Sequence, residues 1–163
     1  MIGLFQIDKS GSEIFEKDYS IALAKNKNEV YGINVPQEIK DEVLHLFNLG
    51  QLGMDKRKRL SIRFHTVIII LLLEEATKDC SLDNVHIEIC NDIDGHFHEI
   101  KDMVYKHLIK SVPVLKKEDI ILTRFDKSSL VNTAAKNLRE KNKEETKSYK
   151  ILKTNQKTII EMI

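Results

Sequence analysis

The chain has 163 residues, 42% of them hydrophobic, with 26 Lys and Arg against 25 Asp and Glu and only two cysteines. That length suits one domain with a real core, and so even a charge balance argues neither for nor against a nucleic-acid partner. Two cysteines, Cys80 and Cys90, make neither a disulfide framework nor a zinc-type spacing and fit a reducing, cytoplasmic setting.

No membrane partner is expected, because the longest apolar run, Val67–Leu73, is far too short to span a bilayer. Met1 leads straight into a strand-like segment without a basic and then apolar leader, so no signal peptide is expected. Two prolines and six glycines mark no linker.

Gly3–Ile7 is short, apolar and partly aromatic and stops at the turn formers Asp8-Lys9-Ser10-Gly11-Ser12, which reads as a strand. Leu4, Gln6 and Asp8 share one of its faces, and Asp8 ends it. Tyr19–Ala24 and Glu29–Val35 are two more strands, and the short polar connection between them predicts an antiparallel meander. Pro36 fits the first position of a helix, with Ile39, Val43, Leu46 and Phe47 as its apolar stripe. Gly50–Gly53 terminates it.

Met54–Cys80 carries no helix breaker from Asp55 to Lys78 and is expected as one long helix. Its start, Lys56-Arg57-Lys58-Arg59, is solvated and basic, a candidate phosphate contact; its middle is buried all round. A buried strand over Thr66–Leu73 is the competing reading, since periodicity does not decide for so apolar a run.

Val85, Ile87 and Ile89 alternate with His86, Glu88 and Cys90, a half-buried strand. It ends in Asn91, Asp92, Asp94 and Gly95, and a helix follows over Phe97–Lys110. Asp119–Phe125 is a further strand, stopped by Asp126-Lys127-Ser128-Ser129; Leu130, Val131, Ala134, Ala135 and Leu138 mark the next helix. Residues 1–147 are thus expected as one α/β domain. Residues 148–163 form a basic C-terminal segment, docked through Ile151, Leu152, Ile159 and Ile160 or partly disordered.

Three strand ends therefore carry an acid: Asp8, Asp92 with Asp94 beside it, and Asp126. Each has a local explanation as a turn or helix cap. Brought together they would repel one another unless a hard cation sat among them. Two Mg²⁺ or Mn²⁺ ions held by such oxygens activate water and stabilise the leaving oxygen in phosphodiester cleavage. His86, His96, His98 and Glu99, with His65 or His107, are a rival zinc set. Their spacing fits no zinc signature, and surface histidines are expected. Nucleophile-elbow, P-loop and dinucleotide motifs are absent.

The chain resembles the ribonuclease H-like superfamily in three places: I-D-K-S-G at Ile7–Gly11, I-C-N-D-I-D-G at Ile89–Gly95 and F-D-K-S-S at Phe125–Ser129. The resemblance implies a central mixed sheet flanked by helices, with the first strand parallel to Val85–Cys90. It also implies a metal-dependent nuclease in which Asp8, Asp92 and Asp126 are catalytic and Asp8, Asp92, Asp94 and Asp126 hold Mg or Mn. The partner would be RNA, DNA or a hybrid. The family's usual helix glutamate has no clear counterpart, Glu42 and Glu75 being the candidates. The alternative is a catalytically inactive relative that acts as a nucleic-acid-binding or protein-interaction module.

Overall fold

The computed structural model describes residues 1–15, 18–47, 53–91 and 95–163. It is an α/β structure in which a six-stranded mixed sheet is flanked by five helices, counted among the described residues. The elements are β1 (Ile2–Ser10), β2 (Ser20–Lys25), β3 (Glu29–Asn34), α1 (Gln37–Leu46), α2 (Met54–Thr77), β4 (Asn84–Cys90), α3 (Phe97–Leu108), β5 (Ile120–Thr123), α4 (Leu130–Arg139), β6 (Lys150–Lys153) and α5 (Gln156–Met162). The sheet runs β5-β4-β1-β2-β3-β6. β1, β2 and β3 form the antiparallel meander, and β4, β5 and β6 add in parallel. Only β2 runs against the others.

β1 and β4 are parallel neighbours, with Phe5 opposite Ile87 and Ile7 opposite Ile89. Odd-numbered Phe5, Ile7, Ile87 and Ile89 enter the main core, as period-two alternation requires. Even-numbered positions therefore face the other side of the sheet. β1 is longer than the apolar pattern suggests: Lys9 and Ser10 still pair with Ile21 and Ser20. Asp8 is thus interior to the strand rather than its last residue. β5 is shorter and stops at Thr123, so Asp126 lies beyond the strand in the turn before α4.

The long apolar run is helical. α2 is buried on every side from Phe64 to Ile70, with Leu72 and Leu73 also inside. Each such aliphatic side chain contributes about 1.5–3 kcal/mol on leaving water, which outweighs the modest helix propensity of Val67 and the three isoleucines after it. Thr66 and Thr77 donate their hydroxyls to the carbonyls of Ile62 and Leu73, both at 2.7 Å, so neither buried oxygen is orphaned. No helix of the described residues is long and apolar enough to cross a membrane.

Of the described helices, α4 packs on the opposite face, through Val131, Ala134, Ala135 and Leu138 against Ala22, Ala24 and Val30. The small side chains let it sit close. A Cβ added at Gly32 would lie 2.6 Å from a Leu138 methyl, and Ser20 donates its hydroxyl to the Ala135 carbonyl. The C-terminal segment belongs to the same body: β6 pairs with β3, and Ile159 and Ile163 join the main core.

Candidate functional site

The even-numbered face of β1 and β4, where the first turn of α4 comes down on the sheet, gathers polar side chains. Asp8 is its centre. It is only 3% exposed, and both carboxylate oxygens are used. Oδ1 accepts the Lys9 backbone N–H at 2.8 Å, and Oδ2 accepts the Asn132 side-chain amide at 2.9 Å. One residue beyond the Ile7–Ile89 pair, Asp8 has buried Cys90 beside it on β4. Two residues back, Gln6 faces Glu88, and its amide donates to that carboxylate at 2.7 Å. His86 Nε2 lies 3.5 Å from the other Glu88 oxygen. The strip therefore reads His86, Glu88, Gln6, Asp8, Asn132.

Asn132 stands where it does for a local reason. Ser129 caps α4, its hydroxyl oxygen accepting the Asn132 backbone N–H at 3.3 Å, as a serine at a helix start does. Asn132 is then on the first turn, bordering the inward stripe beside Ala135. It was not a sequence candidate, and nor were Gln6 and Glu88. The available signal was a polar residue on the edge of an otherwise apolar stripe, three residues after a cap.

Of the predicted carboxylates, Asp8 is in the strip. Asp92 and Asp94 lie outside the described residues; the chain is followed as far as Asn91, whose N–H donates to the Thr123 carbonyl at 2.9 Å and prolongs the β4–β5 pairing. Asp126 is exposed. Its carbonyl accepts the Ser129 N–H at 3.0 Å, and no hydrogen bond joins its side chain to Asp8 among the described residues. The cap of α4 is Ser129 rather than Asp126. No group of three His, Cys, Asp or Glu poised for a metal occurs among the described residues. Those that are described at the centre of the strip, the Asp8 carboxylate and the Asn132 amide, are oxygen donors of the type hard divalent cations take. Neither Glu42 nor Glu75 belongs to the strip; Glu42 bonds Gln156, and Glu75 is exposed near the far end of α2.

The basic stretch lies at the same end of the sheet. Glu13, just after β1, pairs with Arg57 at 3.1 Å, which fixes the start of α2 beside the C-terminal end of β1. Met54 through Arg59 are all exposed, so the helix overhangs the body by roughly 9 Å. Lys56, Lys58 and Arg59 have no ion-pair partner among the described residues. The protruding positive helix end can hold a polyanion's phosphates; it belongs to the helix on the main-core side of the sheet, whereas Asp8 faces the α4 side.

The histidines are dispersed. His96 is near Glu99 at 3.5 Å, and His65 is buried in α2 with Nδ1 2.7 Å from the Tyr19 hydroxyl. Burial and then the positive charge of Lys9 pull the His65 pKa down to about 3, so this ring is neutral and structural.

No family model, curated protein or solved structure matches the chain.

Proposed function

We propose that the chain is a metal-dependent nuclease of the ribonuclease H-like kind, hydrolysing phosphodiester bonds of RNA, DNA or a hybrid at a site centred on Asp8. One observation carries the reading: β1 and β4 lie side by side and parallel, with a buried carboxylate on β1 that the helix after β5 reaches through Asn132. The parallel pairing is what the sequence resemblance implies, the Asn132 contact is additional to it, and a turn or cap role does not account for a buried Asp8 inside a strand. Asp92, which follows Asn91 directly, and Asp94 are the further carboxylates of the proposal, with Asp126 contributing from the turn before α4. Mg²⁺ or Mn²⁺ bound there would activate water and stabilise the leaving oxygen. The protein's own part is to hold and to orient. Asp8 supplies a fixed anionic oxygen pair. Asn132 donates to it here and, with its amide turned over, presents Oδ1 as a neutral donor oxygen. Lys56, Lys58 and Arg59 hold the substrate phosphates. A reducing, cytoplasmic setting completes the reading, in keeping with a chain of only two cysteines.

The test is cleavage of labelled RNA, DNA, hybrid and branched substrates by wild type and Asp8→Asn, in Mg²⁺, in Mn²⁺ and in excess chelator. The reading expects metal-dependent cleavage of at least one substrate, lost in the variant. Cleavage that survives the substitution or the chelator would overturn it.

A second reading is favoured by Asn132 itself. A neutral amide, not an acid, meets Asp8 from α4, which lowers the local negative charge. A nucleic-acid-binding or protein-interaction module that has lost catalysis would show this. It predicts salt-sensitive nucleic-acid affinity that depends on Lys56–Arg59 and is indifferent to Asp8.

A further inference from the structure

At the other end of β1, Lys25 closes β2 opposite Phe5. Its side chain is nine-tenths buried, yet no carboxylate pairs with it among the described residues. What its ammonium meets is a thiol: Nζ lies 2.9 Å from Cys80 Sγ. A buried ammonium is costly without a partner, and here the partner is a nucleophilic sulfur. The turn after α2 sets this up. Asp79 takes the left-handed conformation, φ 57°, and Cys80 is tied back by its N–H to the Thr77 carbonyl and by its thiol to the Ala76 carbonyl, 3.7 Å away. Cys80 is partly exposed, whereas Cys90 is buried. A small oxidant therefore reaches Cys80 while Lys25 stays in contact with it.

We propose that Cys80 and Lys25 form a peroxide-responsive modification site, in which the oxidised sulfur is captured by the lysine amine as a sulfur–nitrogen cross-link. The thiol first attacks hydrogen peroxide: the O–O bond breaks, sulfur is oxidised to the sulfenic acid, and water leaves. The neutral Lys25 amine then attacks that sulfur. An S–N bond forms, the S–O bond breaks, and the amine proton leaves with the hydroxyl as a second water. One peroxide is reduced, and the protein loses two hydrogen atoms in all. The environment favours the second step. Burial pulls the ammonium down, but the adjacent Cys80 sulfur, with Tyr31 and Glu29, holds it above the ordinary lysine value. Oxidation of the sulfur takes away its share of that support, so burial then weighs more heavily toward the neutral, nucleophilic amine.

The experiment treats the folded full chain with hydrogen peroxide, then measures intact mass and maps tryptic peptides without reductant. Wild type is expected to become lighter by two hydrogens, to lose cleavage after Lys25, and to give one peptide containing both Lys25 and Cys80. A thiol reductant should restore the original mass. Cys80→Ser and Lys25→Arg should not form the joined peptide, nor should the chain when oxidised in denaturant. Addition of oxygens to Cys80 with no joined peptide, a Cys80–Cys90 disulfide in its place, or a joined peptide that persists in Lys25→Arg would each overturn the proposal.

Discussion

Asp8 and Asn132 lie 124 positions apart in the chain, and each determines what the other can do. Replacing Asn132 by Leu leaves a buried carboxylate with one hydrogen bond of two. The loss of a charge-assisted bond and the unpaired oxygen should lower stability by about 2–3 kcal/mol in the metal-free protein. Replacing it by Asp brings two carboxylates together. The metal-free variant should then be destabilised by like-charge repulsion and regain stability when Mn²⁺ is added. Urea unfolding of the three proteins with and without metal checks both expectations. A purely structural contact predicts destabilisation of Asn132→Asp that metal does not relieve.

His65 gives a separate expectation, in pH. Its folded pKa, about 3, is below the ordinary histidine value near 6.5. Above about pH 6.5 the ring is neutral in both states and contributes no pH dependence. Below it the unfolded chain takes up a proton that the folded chain refuses until about pH 3. Stability therefore falls as pH drops through that window, by about 2–3 kcal/mol at about pH 4.5 from this residue alone. The His65→Gln variant should lose this part of the acid sensitivity. Equal pH slopes for variant and wild type would show that the burial of this ring does not govern it.

Among the elements, α2 combines two roles along one axis. Its second half is core, so Ile69→Asp should abolish cooperative folding by circular dichroism, because an unpaired buried charge costs several kcal/mol. Its first turns are solvent. The triple charge reversal of Lys56, Lys58 and Arg59 to Glu should leave melting within a degree or two, since exposed sites contribute little. It should weaken nucleic-acid affinity at least tenfold at low salt and flatten the salt dependence. Fluorescence anisotropy across a salt series reads this directly; unchanged affinity would remove the basic helix end from the interface.

The same element shows what could be read in advance. Length and the missing breakers outweighed the β-preferring Val and Ile residues, and α2 is helical as expected. The parallel partnership of the first strand with the one ending at Cys90 was also legible, because a strand that returns to a meander after intervening helices joins it in parallel. The extent of β1 was not. Lys9 and Ser10 are polar, and only their pairing with Ile21 and Ser20 makes them strand, so Asp8 looked terminal. β5 was overestimated for the converse reason: Phe125 is apolar but packs beside α4 after the ladder has ended. Asn132 left only a faint trace, a polar residue on the edge of an apolar stripe, since no local pattern reports a contact across 124 positions.

At the scale of the whole molecule, the fold sets a buried acid on the central strand, a helix start against it, and a basic helix end at the same end of the sheet but on the helix that packs on the other face. The central claim is that Asp8 belongs to a divalent-metal site. It is tested most directly by the melting temperature of wild type and Asp8→Asn with and without Mn²⁺. The substitution is well matched. Asn at this position can accept from the Lys9 N–H and donate to Asn132 once that amide turns over, so the metal-free variant should melt at or above the wild-type temperature. With Mn²⁺ at about ten times its Kd, the wild type should gain about 1.4 kcal/mol, roughly 3–6 °C for a chain of this size. Asp8→Asn should gain nothing. An absent shift in wild type, or the same shift in both proteins, would contradict the account.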